Sequence, residues 1–209
     1  MAGNTEKETE RKIDWHEIRR KTFHIIGGLI FAATIYFDIA QAWMVLLLLG
    51  LGLILSVIYT SYDIPLVDFF LKRFEREHLR KKFPGKGVIY LFMAVFFMMI
   101  AFEKNIVLAG LMIWTFGDSI SAIVGKHYGN VKHPLNERRL LEGTIAGIIC
   151  GTIASAYFLD WNWLYALIAS TVSMTIESLD WELYREAFDD NFFVPVIGAF
   201  VIQALIWIF

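Results

Sequence analysis

The chain has 209 residues, 57% of them apolar and only 19% charged, with a mean hydropathy of +0.54. That balance excludes an average soluble enzyme, a disordered chain and a disulfide scaffold. A net charge of −2 predicts no nucleic-acid partner, and the lone Cys150 excludes an internal disulfide or a CxxC metal site.

Apolar runs near bilayer length predict about seven transmembrane helices: Lys21–Phe37, Gln41–Tyr59, Gly87–Phe102, Asn105–Val124, Glu142–Phe158, Trp161–Glu177 and Asn191–Phe209. The expected fold is therefore all-α and polytopic. Residues 1–20 read as a cytoplasmic or interfacial leader and 21–209 as one transmembrane catalytic domain. The first run follows a charged leader and lacks a small-residue cleavage site, so it is not expected to be a signal peptide. Eighteen Lys/Arg fall on one side of these spans and only Lys104 on the other, which predicts a cytoplasmic N-terminus and an external C-terminus. The external turns are about three residues long, whereas the cytoplasmic loops are long and polar. The working face is thus expected in the cytoplasm, in a multi-pass protein of the cell membrane in a prokaryote or of the endoplasmic reticulum in a eukaryote. Between spans 2 and 3, Val67, Phe70, Leu71 and Phe74 recur at helical spacing among basic residues. This predicts an interfacial amphipathic helix at about 66–82, drawn to anionic lipid.

Within the spans, polar residues are few and informative. In span 1, Arg20, His24 and Gly28 share one helix face. At the end of span 4, Asp118, Ser121, Ala122 and Gly125 form one polar and small stripe. A carboxylate near the middle of a span costs roughly 2.5–3.5 kcal/mol, so Asp118 reads as a metal or substrate ligand, the alternative being a structural hydrogen bond to a neighbouring helix. Removing that charge is expected to leave stability equal or higher. Gly125 and Gly129 flank Lys126, a pattern in which backbone N–H groups can approach phosphate. Arg139 precedes Glu142 at the mouth of span 5, and a guanidinium suits phosphate; positive-inside arginines and an N-terminal helix acid explain the same signs. Gly143, Gly147, Gly151 and Ser155 form a small stripe that predicts close helix packing. Asp189-Asp190-Asn191 offers hard oxygen ligands at the start of span 7, or else an N-cap after an acidic loop.

Taken together, Arg20-Lys21…His24…Gly28, Lys86-Gly87…Tyr90, Gly117-Asp118…Ala122…Gly125-Lys126…Gly129, Arg139…Glu142-Gly143 and Asp189-Asp190-Asn191…Pro195 resemble the CTP-dependent lipid-alcohol kinases. These are the dolichol and polyprenol kinases, phytol kinase and the CTP-dependent diacylglycerol kinase, related to the phosphatidate cytidylyltransferases. Where the family pattern reads Lys-Ser-x-Glu-Gly, this chain has Arg139-Leu140-Leu141-Glu142-Gly143. The charge is kept and the hydroxyl replaced. The resemblance implies transfer of the γ-phosphoryl of CTP to a long-chain isoprenoid alcohol of polyprenol or dolichol type, giving a polyprenyl phosphate and CDP. It implies Mg²⁺ on Asp118 and Asp190, with Asp189 and Asn191 in the same ligand group. Phosphate contacts would come from Lys126, Gly125, Gly129, Arg139, Lys21 and Lys86, and catalytic roles from Asp118, Glu142 and His24. The partners are CTP, the lipid alcohol and the bilayer. A phosphatidate-type cytidylyltransferase, or a transporter of an anionic metabolite, remains the alternative.

Overall fold

A computed structural model describes residues 14–62, 64–75, 80, 82–179 and 189–209. Helix α1 (Trp15–Tyr36) starts at Asp14, whose carboxylate accepts from the His16 and Glu17 amides. Two orphan donors of the first turn are thereby satisfied. Helices α2 (Ala42–Ser61) and α3 (Pro65–Phe74) follow. Proline in its first turn, Asp68 near its start and Lys72 and Arg73 near its end suit α3 to its macrodipole. Gly85, in the left-handed region at φ 75°, opens α4 (Lys86–Ala101).

The central span runs unbroken from Lys104 to Tyr128. It comprises α5 (Lys104–Met112), a π-helical segment (Ile113–Asp118) and α6 (Ser119–Tyr128). A two-stranded antiparallel hairpin, β1 (Lys132–His133) and β2 (Asn136–Leu140), leads into α7 (Leu141–Ala156). Helices α8 (Trp163–Ser178) and α9 (Asp190–Ile208) complete the described chain. Among the described residues the architecture is all-helical apart from this hairpin.

Every residue from Ile106 to Trp114 is buried, because α1, α7, α8 and α9 surround the central span. Small residues permit this closeness. A Cβ at Gly110 would stand 2.6 Å from Pro195 O, and one at Gly147 would stand 2.8 Å from Gly117 O. The stripe Gly143, Gly147, Gly151 and Ser155 is buried against these neighbours. At one end of the bundle Lys104 Nζ lies 2.7 Å from both Asp38 oxygens; the polar residues gather at the other.

Four helices among the described residues are long and apolar enough to cross a bilayer: Ala42–Ser61, Lys104–Tyr128, Leu141–Leu159 and Asp190–Ile208. Helix α1 has the length, but its first two turns carry Glu17, Arg19, Arg20 and Lys21. Helices α4 and α8 have 16 residues each, about 24 Å at 1.5 Å per residue, short of a core of about 30 Å. The amphipathic helix expected at about 66–82 ends earlier, at Phe74, where Glu75 turns to extended backbone. Burial raises the Glu75 pKa, and its carboxylate accepts from the Gly85 amide. The side chain thus folds back on the α4 start instead of extending the helix. Residues 76–79 and 81 lie outside the described residues, as do Ile13 of the leader and Asp180, Glu182 and Glu186 of the acidic loop.

Candidate active site

The π-helical segment positions the first carboxylate. A widened turn of this kind shifts side-chain register and is frequent at functional sites. Here it buries Trp114, Thr115 and Asp118. Thr115 Oγ1 donates to Leu111 O at 2.7 Å, and the Thr115 side chain fills the space a Cβ at Gly28 would need, 2.3 Å away. Glycine at 28 therefore lets α1 lie directly on the segment.

That approach carries Lys21 and His24 to Asp118. Lys21 Nζ donates to Asp118 Oδ2 at 2.6 Å, with both side chains buried. His24 Nε2 stands 3.6 Å from the same oxygen, and its ring packs on Trp114 at 3.8 Å between centroids. Nε2 is buried and has no hydrogen-bond partner among the described residues. Asp118 is thus tied to a buried ammonium. Removing one member of such a pair is costly, so the pairing argues against the expectation that losing its charge leaves stability equal or higher.

A second group assembles from three other elements. Arg139 on β2 pairs with Glu177 at the end of α8, and its Nη2 lies 3.6 Å from Asp190 Oδ2 at the start of α9. The Glu177 side chain is wholly buried, and its Oε2 accepts no hydrogen bond among the described residues. Carboxylate oxygens of Asp118, Glu177 and Asp190 all lie within 4.8 Å of one another. Three carboxylates against Lys21 and Arg139 leave one formal negative charge, so a divalent cation fits both the charge and the hard oxygen donors.

The remaining predicted residues stand around this cluster in different roles. Asp189 caps α9, accepting from the Asn191 amide at 3.0 Å, and lies 3.8 Å from Lys86 Nζ. Asn191 Oδ1 accepts from Trp114 Nε1 at 3.1 Å, and its Nδ2 donates to Asp189 at 2.6 Å. Lys86 also lies over the Tyr90 ring. Lys126 is half exposed and donates to Asp14 at 2.5 Å. That bond holds the Asp14 carboxyl down at a pKa of about 2. The Asp14 amide in turn donates to His127 Nε2, so the start of α1 is latched onto the end of α6. Gly125 and Gly129 form the last turn of α6 and its cap rather than an open loop. A Cβ at Gly129 would meet Leu140 at 2.5 Å, and Gly125 lies against Gly143. Glu142 accepts from the Asn130 and Val131 amides and folds the hairpin onto α7.

No family model and no solved structure matches the chain. Curated sequences do. Phytol kinase 1 of Arabidopsis thaliana is 30% identical over 91% of this chain and 67% of its own length. The chain belongs to the CTP-dependent lipid kinase family. CTP-dependent diacylglycerol kinase 1 of Saccharomyces cerevisiae is 24% identical over 91% of the chain and 74% of its own length. A probable phytol kinase of Zea mays is 26% identical over 90% and 66%. The chain thus spans about two thirds of the length of the phytol kinases it matches.

Glu177 enters the sequence analysis only as the last residue of a span, and Trp114 not at all. The available signal for Glu177 was a lone carboxylate in the last turn of an apolar helix; Trp114, in an apolar run, offered none.

Proposed function

We propose that this chain transfers the γ-phosphoryl of CTP to the hydroxyl of a long-chain isoprenoid alcohol, giving a prenyl phosphate and CDP. The observation that carries the reading is the buried cluster Asp118, Glu177 and Asp190 held between Lys21 and Arg139, in a chain related to phytol kinases and CTP-dependent diacylglycerol kinases. Phosphoryl transfer needs positioning and charge neutralisation more than covalent chemistry, and this group supplies both. Phytol in the name of a relative 30% identical favours an isoprenoid acceptor over a diglyceride; a polyprenol or dolichol is the acceptor that the family resemblance implies.

Mg²⁺ would be held by Asp118, Glu177 and Asp190, with Asp189 and Asn191 behind them. When bound it would draw charge from the triphosphate. Lys21 and Arg139 face the same space and stand ready to bind phosphate oxygens, with Lys86 beside Asp189. Lys126 would join them on leaving Asp14. The alcohol oxygen forms the new bond to the γ-phosphorus as the bridge to CDP breaks. Its proton passes to a base in the cluster, and His24 Nε2, buried and without a hydrogen-bond partner among the described residues, is the group we assign to it. Glu142 acts through the hairpin that carries Arg139.

We further read all seven apolar helices of 21–209 as spans of one catalytic domain, with its N-terminus and site cytoplasmic and its C-terminus outside. Exposed Tyr36, Phe37, Trp43, Trp161 and Trp163 at the end opposite the cluster support a membrane–water boundary there. The test is incubation of purified protein with γ-labelled CTP or ATP and a panel of phytol, polyprenol, dolichol and diacylglycerol. Label should enter an isoprenoid alcohol, from CTP. Label entering only diacylglycerol would refute the acceptor class.

A further inference from the structure

Away from the carboxylate cluster, α1 and α3 flank a second polar feature, open to the surface. Phe74 of α3 stacks on Phe23 of α1 at 4.1 Å, with Phe70 at 6.4 Å from the same ring. The two helices leave between them a groove of about 330 Å³ lined by Arg19, Pro65, Asp68, Phe69, Lys72 and Arg73, a volume within the range of small-ligand clefts. Three of these residues are cations and one is an anion. The Asp68 carboxylate is already engaged, by Lys72 Nζ at 2.5 Å and by the Tyr59 hydroxyl at 2.6 Å. Arg73 lies over the Phe69 ring at 5.6 Å. Arg19 is exposed and has neither ion pair nor hydrogen bond among the described residues. Its neighbours turn elsewhere, Arg20 to Glu17 and Lys21 to Asp118.

The same helix that supplies Lys72 and Arg73 exposes Leu66, Phe69 and Phe70. Apolar side chains that enter the acyl boundary beside arginines that stay in water fix the depth of the groove at the headgroups. We propose that this groove is a binding site for the phosphate of an anionic phospholipid, held by Arg19 from α1 and by Lys72 and Arg73 from α3. It differs from a diffuse basic surface because its cations come from two helices and converge on one groove. A guanidinium fork from each side suits a phosphate that a single basic helix would only attract. Bound lipid would fasten α3 to the first turns of α1, the stretch that leads to Lys21 and His24.

The full chain, reconstituted in phosphatidylcholine vesicles, is tested with trace spin-labelled phosphatidylglycerol or spin-labelled phosphatidylcholine. The fraction of immobilised label reports relative affinity. Wild type should prefer phosphatidylglycerol. Each cation removed should weaken that preference up to about fivefold, the effect of roughly 1 kcal/mol per basic residue near an anionic surface. Arg19→Gln/Arg73→Gln should therefore lose most of the preference, Arg19→Gln alone an intermediate share, and Arg19→Lys/Arg73→Lys should keep more than the glutamine pair. Lys132→Gln/Arg138→Gln on the hairpin should change nothing, and millimolar inorganic phosphate should not displace the lipid. An unchanged preference in both glutamine variants would overturn the site. So would an equal loss in the hairpin variant, which means a diffuse field, or displacement by phosphate, which means a soluble-anion site.

Discussion

Lys21 Nζ and Asp118 Oδ2 stand 2.6 Å apart although 97 residues separate them in the chain. The contact joins α1 to the end of the π-helical segment, and both partners are shut away from solvent. A charge inside a spanning helix needs such a partner, so each residue explains how the other is tolerated. It also makes the pair costly to break from one side.

Asp118→Asn should therefore abolish turnover and destabilise the protein by about 3–5 kcal/mol, the usual result of leaving one member of a buried pair uncompensated. Lys21→Met/Asp118→Asn should regain much of that stability and no activity. Thermal unfolding in detergent, with the turnover assay alongside, checks both. A single variant as stable as wild type would show that the pair contributes nothing to the fold.

Gly28→Ala tests the approach that creates the pair. The added Cβ would stand 2.3 Å from Thr115 Oγ1, so α1 must shift and carry Lys21 and His24 with it. Overpacking of this kind costs typically 1–3 kcal/mol, and activity should fall further than stability. Thr115→Ala should restore both, seen as strong coupling in a double-mutant cycle. Additive effects would mean that the two residues do not meet.

Much of this arrangement was legible in the sequence. The Arg20, His24, Gly28 face and the Asp118 stripe follow from helical periodicity alone, and the stripe from Gly143 to Ser155 marks its own packing. Glu177 and Arg139 were harder, because their meeting depends on a hairpin and on the relative height of two helix ends. Neither leaves a period in the sequence. The Gly125–Gly129 stretch reads locally like a phosphate loop. Its surroundings close it, since Leu140 and Gly143 occupy the space beside both glycines. Helix α3 stops at Phe74 although the basic run continues past it, and the Glu75 side chain turns to accept from the Gly85 amide.

Glu177→Gln should weaken divalent-cation binding by at least about tenfold, on the scale seen when metal-site partners are lost. Binding of Mn²⁺ followed by electron paramagnetic resonance reads this without turnover. Chelation should silence the wild-type enzyme, and added Mg²⁺ should restore it. Unchanged Mn²⁺ affinity in the variant would remove Glu177 from the ligand set.

Asp14→Ala should cost about 1 kcal/mol through loss of the helix cap and release Lys126. The Asp14 pKa is depressed in the folded chain to about 2, chiefly by the Lys126 hydrogen bond. Its stabilising contribution is therefore complete above the ordinary carboxylate range and is lost as pH falls through that range towards 2. The stability gap between wild type and variant should stay constant from pH 6 to 8 and narrow below about pH 4. A gap that widens on acidification would contradict the latch.

The central claim is which phosphorus of CTP is attacked, and CTP labelled separately at the α and γ positions tests it most directly. Incubated with purified protein, Mg²⁺ and an isoprenoid alcohol, γ-label should enter the lipid fraction while α-label stays in water as CDP, in equal amounts. Entry of α-label into lipid, with release of pyrophosphate, would contradict the kinase assignment and make the chain a cytidylyltransferase.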